Sequence, residues 1–245
     1  MVKTVFNIIK SDSNPYFKEV CKIKQGKSKD SLFLVEGEDL VFEANKANSL
    51  VELIYLEEKD INPAYKHIKT TIFNKNLIKE ISSYQSLPSV IGVCKKEYSK
   101  DIGKRCVYLD NIQDPGNAGT IIRTALAFGF SSLVLSLDSV SLYNSKVIQS
   151  TKGAIFHLPI CRKDLLEISK GYNIYLTTLD GIDIEQVDEL VEPYIIVFGN
   201  EGNGIKKEYY PLGTRLTINI QSIDSLNVAS SAAIFLHKYS TLRRR

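Results

Sequence analysis

The second half of this 245-residue chain is a succession of short apolar runs, each closing in polar or turn-forming residues. CVYLDNI (106–112), SLVLS (132–136), NIYLTTLD (173–180), YIIVFGNE (194–201) and RLTINI (215–220) have the length of strands. Most are continuously apolar, and a strand apolar on both sides needs a covering layer on each face. Helical spacing appears between and after them, in NAGTIIRTALAFG (117–129, closed by Gly129 as a C-cap), NSKVIQSTKGAIF (144–156, fraying near Gly153) and SLNVASSAAIFLHKYSTLR (225–243). Strands alternating with helices predict an α/β fold built on a mostly parallel sheet.

The first half repeats this grammar on a smaller scale. NPYFKEVCKI reads as a helix, SLFLVEG as a buried strand ending at Gly37, and EDLVFEANKAN as a helix with acids in its first turn. VELIYLEE and IKTTIFN are strands, NKNLIKEISSY a helix and SVIGVCKK a strand. KKEYSKDIGKR (95–105) is polar, charged and carries a glycine, which suits a linker. Two domains are therefore expected, 1–98 and 104–245.

Composition narrows the function classes. Hydrophobic residues make up 44% and charged residues 24%, which excludes a disordered or fibrous chain. The net charge of +3 is mild, yet seven lysines stand against three acids in the first thirty residues. The four cysteines form no CxxC pair and the three histidines are far apart in sequence, so no metal site is expected. The N-terminus lacks the apolar core of a signal peptide, and no apolar run approaches the roughly eighteen residues that span a bilayer. The expectation is a soluble cytoplasmic protein without a membrane partner, its cysteines reduced.

Three stretches carry chemistry. In DPGNAGTIIRTA (114–125) a turn runs into a helix that bears Asn117 near its start and Arg123 two turns in. A capped helix start and an anion-binding helix terminus both fit that pattern. VFGNEGNGI (197–205) takes a buried strand into three glycines with one acid, Glu201, among them. Its G-x-x-G-x-G order is not the dinucleotide fingerprint, and no Walker lysine–serine pair occurs, which counts against a nicotinamide-dependent oxidoreductase. In SLNVASSAAI (225–234), Ser225 and Asn227 flank Leu226 ahead of a run of small residues that permits close packing.

Together and in this order, the three stretches resemble the signature motifs of the SpoU (TrmH-like) family of RNA ribose methyltransferases, in the SPOUT superfamily. The resemblance covers residue 107 to about residue 240. DSLFLVEGEDLVFEA in the first half is similar to the small α/β (L30e-like) substrate-binding domain that often precedes this fold. The resemblance implies a C-terminal parallel sheet with a deep trefoil knot, S-adenosyl-L-methionine as cofactor, a homodimer, and RNA as substrate. It also implies methylation of a ribose 2′-hydroxyl, in 23S rRNA ahead of tRNA. Knots are otherwise nearly absent from proteins.

By the same resemblance Arg123 is the central catalytic residue. A guanidinium stays charged below about pH 12, so its expected role is to bind a phosphate and stabilise the developing alkoxide rather than to act as a simple base. Asn117 is expected to orient Arg123 or the ribose, Glu201 to hold Arg123 or Asn227, and Ser225 and Asn227 to line the same pocket. Gly199, Leu226 and Ile220, with Ile218 as the alternative to Ile220, are the implied cofactor contacts. The chain departs from the family pattern just before the third motif. INIQSIDSLN has Gln221 and Ser222 where Pro-Met is usual, and fewer residues follow. That departure keeps a different class open: an RNA-binding or ribosome-associated protein that retained the fold and lost catalysis.

Overall fold

The computed structural model describes residues 7–240. The chain divides between Glu97 and Tyr98 into two compact units, within the polar stretch 95–105.

The first unit holds strands β1 (Asn7–Ile9), β2 (Leu32–Glu36), β3 (Leu50–Tyr55), β4 (Lys69–Phe73) and β5 (Val90–Lys95) in the order β1-β4-β3-β5-β2. Its helices are α1 (Pro15–Lys24), α2 (Glu38–Lys46) and α3 (Lys75–Ile81). β1, β3 and β4 run parallel, while β5 pairs antiparallel with both β3 and β2. The seven expected elements are present. β1 had no sequence signal because only Ile9 of its three residues is buried, with Ile8 turned outward. Asn14 and Asn74 cap α1 and α3 by accepting backbone N–H groups, which sets where each helix starts.

The second unit is a six-stranded, wholly parallel sheet. Its strands are β6 (Arg105–Leu109), β7 (Ser132–Leu135), β8 (Ile160–Arg162), β9 (Asn173–Asp183), β10 (Tyr194–Phe198) and β11 (Gly213–Thr217), in the order β11-β9-β10-β6-β7-β8. Helices α4 (Pro115–Ala127), α5 (Ser145–Thr151), α6 (Leu165–Ile168) and α7 (Val228–Lys238) complete it. Every residue of β10 is buried, as a strand covered on both faces requires. Val107, Leu109, Ile196 and Phe198 face the core shared with α4 and α7. Cys106, Tyr108, Ile195 and Val197 face the other, where Leu165, Ile168 and Tyr209 pack.

Two elements, β8 and α6, add to those expected, and three local expectations are corrected. β8 and α6, of three and four residues, were too short to leave a period. The helix expected over 144–156 stops at Thr151. Lys152 and Gly153 take left-handed backbone there, and a single 3-10 turn, Ala154–Phe156, follows. The strand expected over 215–220 spans 213–217, so that Ile218, Asn219 and Ile220 leave the sheet. The last helix begins at Val228 rather than Ser225, because Asn227 caps it, and its expected residues 241–243 lie outside the described residues.

The strand order fixes where a ligand can sit. From β6 the chain moves out through β7 to β8, then returns to place β10 on the other flank of β6. Connections leaving the C-terminal ends of β6 and β10 therefore diverge, which opens a crevice at the topological switch point.

Candidate active site

All three motif stretches end at that crevice. α4 leaves β6 through Asp114, whose Oδ1 accepts the Asn117 backbone N–H at 2.7 Å, with Pro115 in the first turn. The helix start is thus capped by its own carboxylate, which takes up the Asn117 N–H. Ala118, Gly119, Ile121, Ile122 and Ala125 are buried, while Arg123 lies on the solvent face. A Cβ at Gly119 would stand 2.4 Å from Ser150 Cβ, so glycine is what lets α5 close on α4.

β10 runs into a closed glycine loop. Asn200 and Gly204 exchange backbone hydrogen bonds of 3.0 Å each. Asn200 Oδ1 accepts from Gly202 N and Asn203 N, both at 3.0 Å, and its Nδ2 donates to the Asn111 carbonyl at 2.8 Å. A Cβ at Gly199 would lie 2.3 Å from Gly204 C and 2.4 Å from Ile205 N, which are backbone atoms that cannot swing aside. Past β11, the chain returns over this loop, and Asn227 caps α7 by accepting from Ala229 N and Ser230 N at 2.9 and 3.2 Å.

Side chains join the three stretches directly. Asn227 Nδ2 donates to Asn117 Oδ1 at 3.0 Å, and Asn117 Nδ2 donates to Glu201 Oε1 at 2.9 Å. Residues 110 positions apart are thereby one chain of hydrogen bonds. Glu201 Oε2 also receives Asn200 Nδ2, at 3.4 Å. The partners of Glu201 are therefore Asn117 and Asn200, not Arg123 or Asn227, and Asn117 touches Glu201 and Asn227 instead of Arg123. Arg123 makes no hydrogen bond or ion pair within the described residues.

Beneath this cluster lies a cavity of about 680 Å³. Gly199, Glu201, Ile218, Ile220, Ser225, Leu226 and Asn227 all line it; Arg123 and Asn117 do not. Its size is that of a pocket for a nucleoside-sized ligand. The walls pair apolar surface from Phe198, Leu226 and the two isoleucines with backbone polar groups of the glycine loop. The Thr178 hydroxyl, also at the lining, is buried and has no hydrogen-bond partner in the described residues. A buried hydroxyl left unpaired is unfavourable and is relieved by a polar ligand atom. Apolar slabs for a ring, backbone groups for its edge and one orphaned hydroxyl fit S-adenosylmethionine.

Behind the loop, Asp110 at the end of β6 is wholly buried and accepts Lys206 N at 2.8 Å, while Lys206 Nζ pairs with Asp138 at 3.0 Å. Burial pushes the Asp110 carboxyl up from the ordinary carboxylate range, opposed by the Lys206 N–H and charge. Burial also works against the Lys206 ammonium, yet the hydrogen bond and charge of Asp138 outweigh it and raise its pKa. Asp110, Thr178, Asn200 and Lys206 are site-forming residues that sequence reasoning missed. Asn200 stood inside a quoted motif. Asp110 and Lys206 are 96 positions apart and carried no joint signal.

A doubly covered parallel sheet, with a glycine-loop cavity and an amide–carboxylate cluster at its switch point, defines an α/β enzyme that handles a nucleoside-like ligand. The chain belongs to the SpoU rRNA Methylase family, whose model matches residues 104–237. It is similar to the 23S rRNA (guanosine(2553)-2'-O)-methyltransferase RlmP of Bacillus subtilis (strain 168), with 29% identity over 94% of this chain and 97% of that one. The 23S rRNA (adenosine(1067)-2'-O)-methyltransferase of Streptomyces azureus is 23% identical over 96% of both chains. Among solved structures, the AdoMet-bound rRNA methyltransferase from Sinorhizobium meliloti superposes with a TM-score of 0.83 and 26% identity, over 95% of this chain and 97% of that one.

Proposed function

We propose that this protein is a methyltransferase that moves a methyl group from S-adenosylmethionine to a ribose 2′-hydroxyl of 23S rRNA. The observation that carries the reading is the hydrogen-bonded chain Glu201–Asn117–Asn227 at the rim of the cavity. It ties the three motif stretches into one site beside a pocket that fits the cofactor. Full-length similarity to two 23S rRNA 2′-O-methyltransferases supports the substrate class.

The cofactor supplies an electrophilic methyl group on a sulfonium. The ribose oxygen would form the new bond to that carbon as the sulfur–carbon bond breaks to leave a neutral thioether, and the hydroxyl proton would pass to solvent water at the exposed rim. Arg123, exposed and without a hydrogen-bond or ion-pair partner among the described residues, offers a fixed positive charge to the adjacent phosphate and to the oxygen as it becomes an alkoxide. Asn117 holds Glu201 and Asn227 in register. Ser225 stands exposed at the rim, where it meets the incoming ribose. Gly199, Leu226 and Ile220, with Ile218 beside it, form the cofactor wall.

Residues 104–245 act as the catalytic domain, with the segment around Asn227 drawn through a deep trefoil knot, and residues 1–98 read the RNA. The enzyme works in the cytoplasm as a homodimer. No helix of the described residues is long and apolar enough to cross a membrane, and no cluster among them is arranged to hold a metal ion.

The test is transfer of labelled methyl from S-adenosylmethionine to RNA lacking its own copy of the modification, with rRNA and tRNA fractions counted separately. Label in 23S rRNA that falls at least about 100-fold in Arg123→Ala is the expected outcome. Cofactor binding and label both absent from every fraction would leave an RNA-binding relic of the fold.

A further inference from the structure

The first unit has two faces of opposite charge. α1 and α3 cover one side of its sheet, where Phe17, Val20, Leu77 and Ile78 share a core with Ile54, Ile91 and Val93. α2 covers the other: a Cβ at Gly92, between Ile91 and Val93 in β5, would point at Val41 of α2, 3.3 Å from its Cγ2. α1, the turn after it and α3 expose seven lysines against two exposed acids, Asp30 and Glu80, and a half-buried Glu19. α2 carries three acids and one lysine. A polyanion is attracted to the first face and repelled by the second.

At the edge of the basic face stands an aromatic residue held by unusual means. Lys24 Nζ donates to the Glu80 and Ser82 carbonyls at 2.9 and 3.1 Å, which joins the end of α1 to the end of α3. Glu36, a buried carboxylate at the end of β2, accepts Ser82 Oγ at 2.7 Å and Ser83 N at 2.9 Å. Ser82 Oγ in turn accepts Tyr84 N at 3.0 Å. Burying a carboxylate is costly unless hydrogen bonds repay it. Here they repay it by fixing the backbone that presents Tyr84, a ring 40% exposed among the exposed polar residues Ser83, Gln85 and Ser86.

We propose that the α1/α3 face with Tyr84 at its edge is the surface by which this unit binds unpaired RNA nucleotides, phosphates on the lysines and a splayed base stacked on Tyr84. A ring on a rigid polar loop next to a positive field suits an unstacked base, since bases inside a duplex present no free face. No exposed apolar neighbour on that loop suits a protein or membrane partner. The inference rests on the reading of this chain as an RNA methyltransferase.

The test uses the full-length protein and unmodified 23S rRNA transcribed in vitro, with Kd measured over a salt series and S-adenosylmethionine binding followed by calorimetry. Tyr84→Ala is expected to weaken RNA binding about 5- to 100-fold, while Tyr84→Phe, which keeps the stacking ring, stays within about threefold of wild type. Lys18→Gln with Lys79→Gln, both on solvent-facing helix positions, lowers the slope of log Kd against log salt by about 1 to 2. Lys46→Gln on α2 changes neither quantity, and all variants bind the cofactor as wild type does. Should Tyr84→Ala fail to fold, the lysine pair decides alone. Wild-type affinity and salt slope in both Tyr84→Ala and the lysine pair would overturn the inference and leave the methyltransferase reading standing. A wild-type protein that binds neither RNA nor S-adenosylmethionine would overturn both.

Discussion

Asn227 does two jobs with one side chain. Its Oδ1 caps α7, and its Nδ2 reaches Asn117. The two separate by substitution. Asn227→Asp keeps the capping oxygen and loses the donor, so the melting temperature is expected to stay within about 2 °C while methyl transfer falls at least tenfold. Asn227→Ala loses both and sheds a further ~1 kcal/mol of stability. Wild-type turnover in the aspartate variant would show that the link to Asn117 is idle. At Gly199 the constraint is steric. A methyl group there meets the backbone of Gly204 and Ile205, so the loop must shift to admit it. Gly199→Ala is expected to cost about 1–3 kcal/mol in thermal unfolding and to weaken S-adenosylmethionine binding at least tenfold by calorimetry. An unchanged melting temperature and affinity would mean the loop yields freely. The glycine itself was legible in the sequence; the reason for it, a hairpin folded back onto residue 199, was not.

Among the elements, the C-terminal ends of β6 and β10 organise the site, and Asp110 with Lys206 clamps them. Burial raises the Asp110 carboxyl, so the native protein holds that proton more tightly than the unfolded chain does. Its contribution to stability is then largest below the ordinary carboxylate range and declines as pH rises through the raised value. Asparagine cannot titrate. Urea unfolding of wild type and Asp110→Asn from about pH 4 to about pH 7.5 is therefore expected to show the difference moving in favour of the variant as pH rises. Movement the other way would mean that the Lys206 charge, not burial, governs Asp110. Periodicity located both strands, because β6 and β10 are buried on both faces. It could not reveal that they are neighbours, since the Asn117 and Glu201 that meet above them are 84 positions apart.

On the scale of the molecule, each unit has its own core. Residues of α1, α3 and the first sheet make one cluster, and residues of the second sheet with α4 to α7 make two more. A fragment of residues 98–245 is expected to unfold cooperatively and to bind S-adenosylmethionine within about threefold of the full chain, while its affinity for 23S rRNA falls at least tenfold. A fragment that is unfolded by circular dichroism would show that the second unit depends on the first.

The sequence by itself determined the fold class and the break within 95–105. Each of these is written in local patterns: apolar runs, turn residues and caps. The family resemblance of its motifs pointed to Gly199, Ile218, Ile220, Ser225 and Leu226, which line the cavity wall. Only the tertiary structure decided the partners. Asn117 holds Glu201 and Asn227, Lys206 covers Asp110, Thr178 offers an unpaired hydroxyl, and Arg123 faces solvent. Those pairings depend on strand order and on a chain that returns over its own glycine loop. Hydrogen bonds between residues about a hundred positions apart leave no period in the sequence, because the period of a strand or helix records only which side is buried, and not against what.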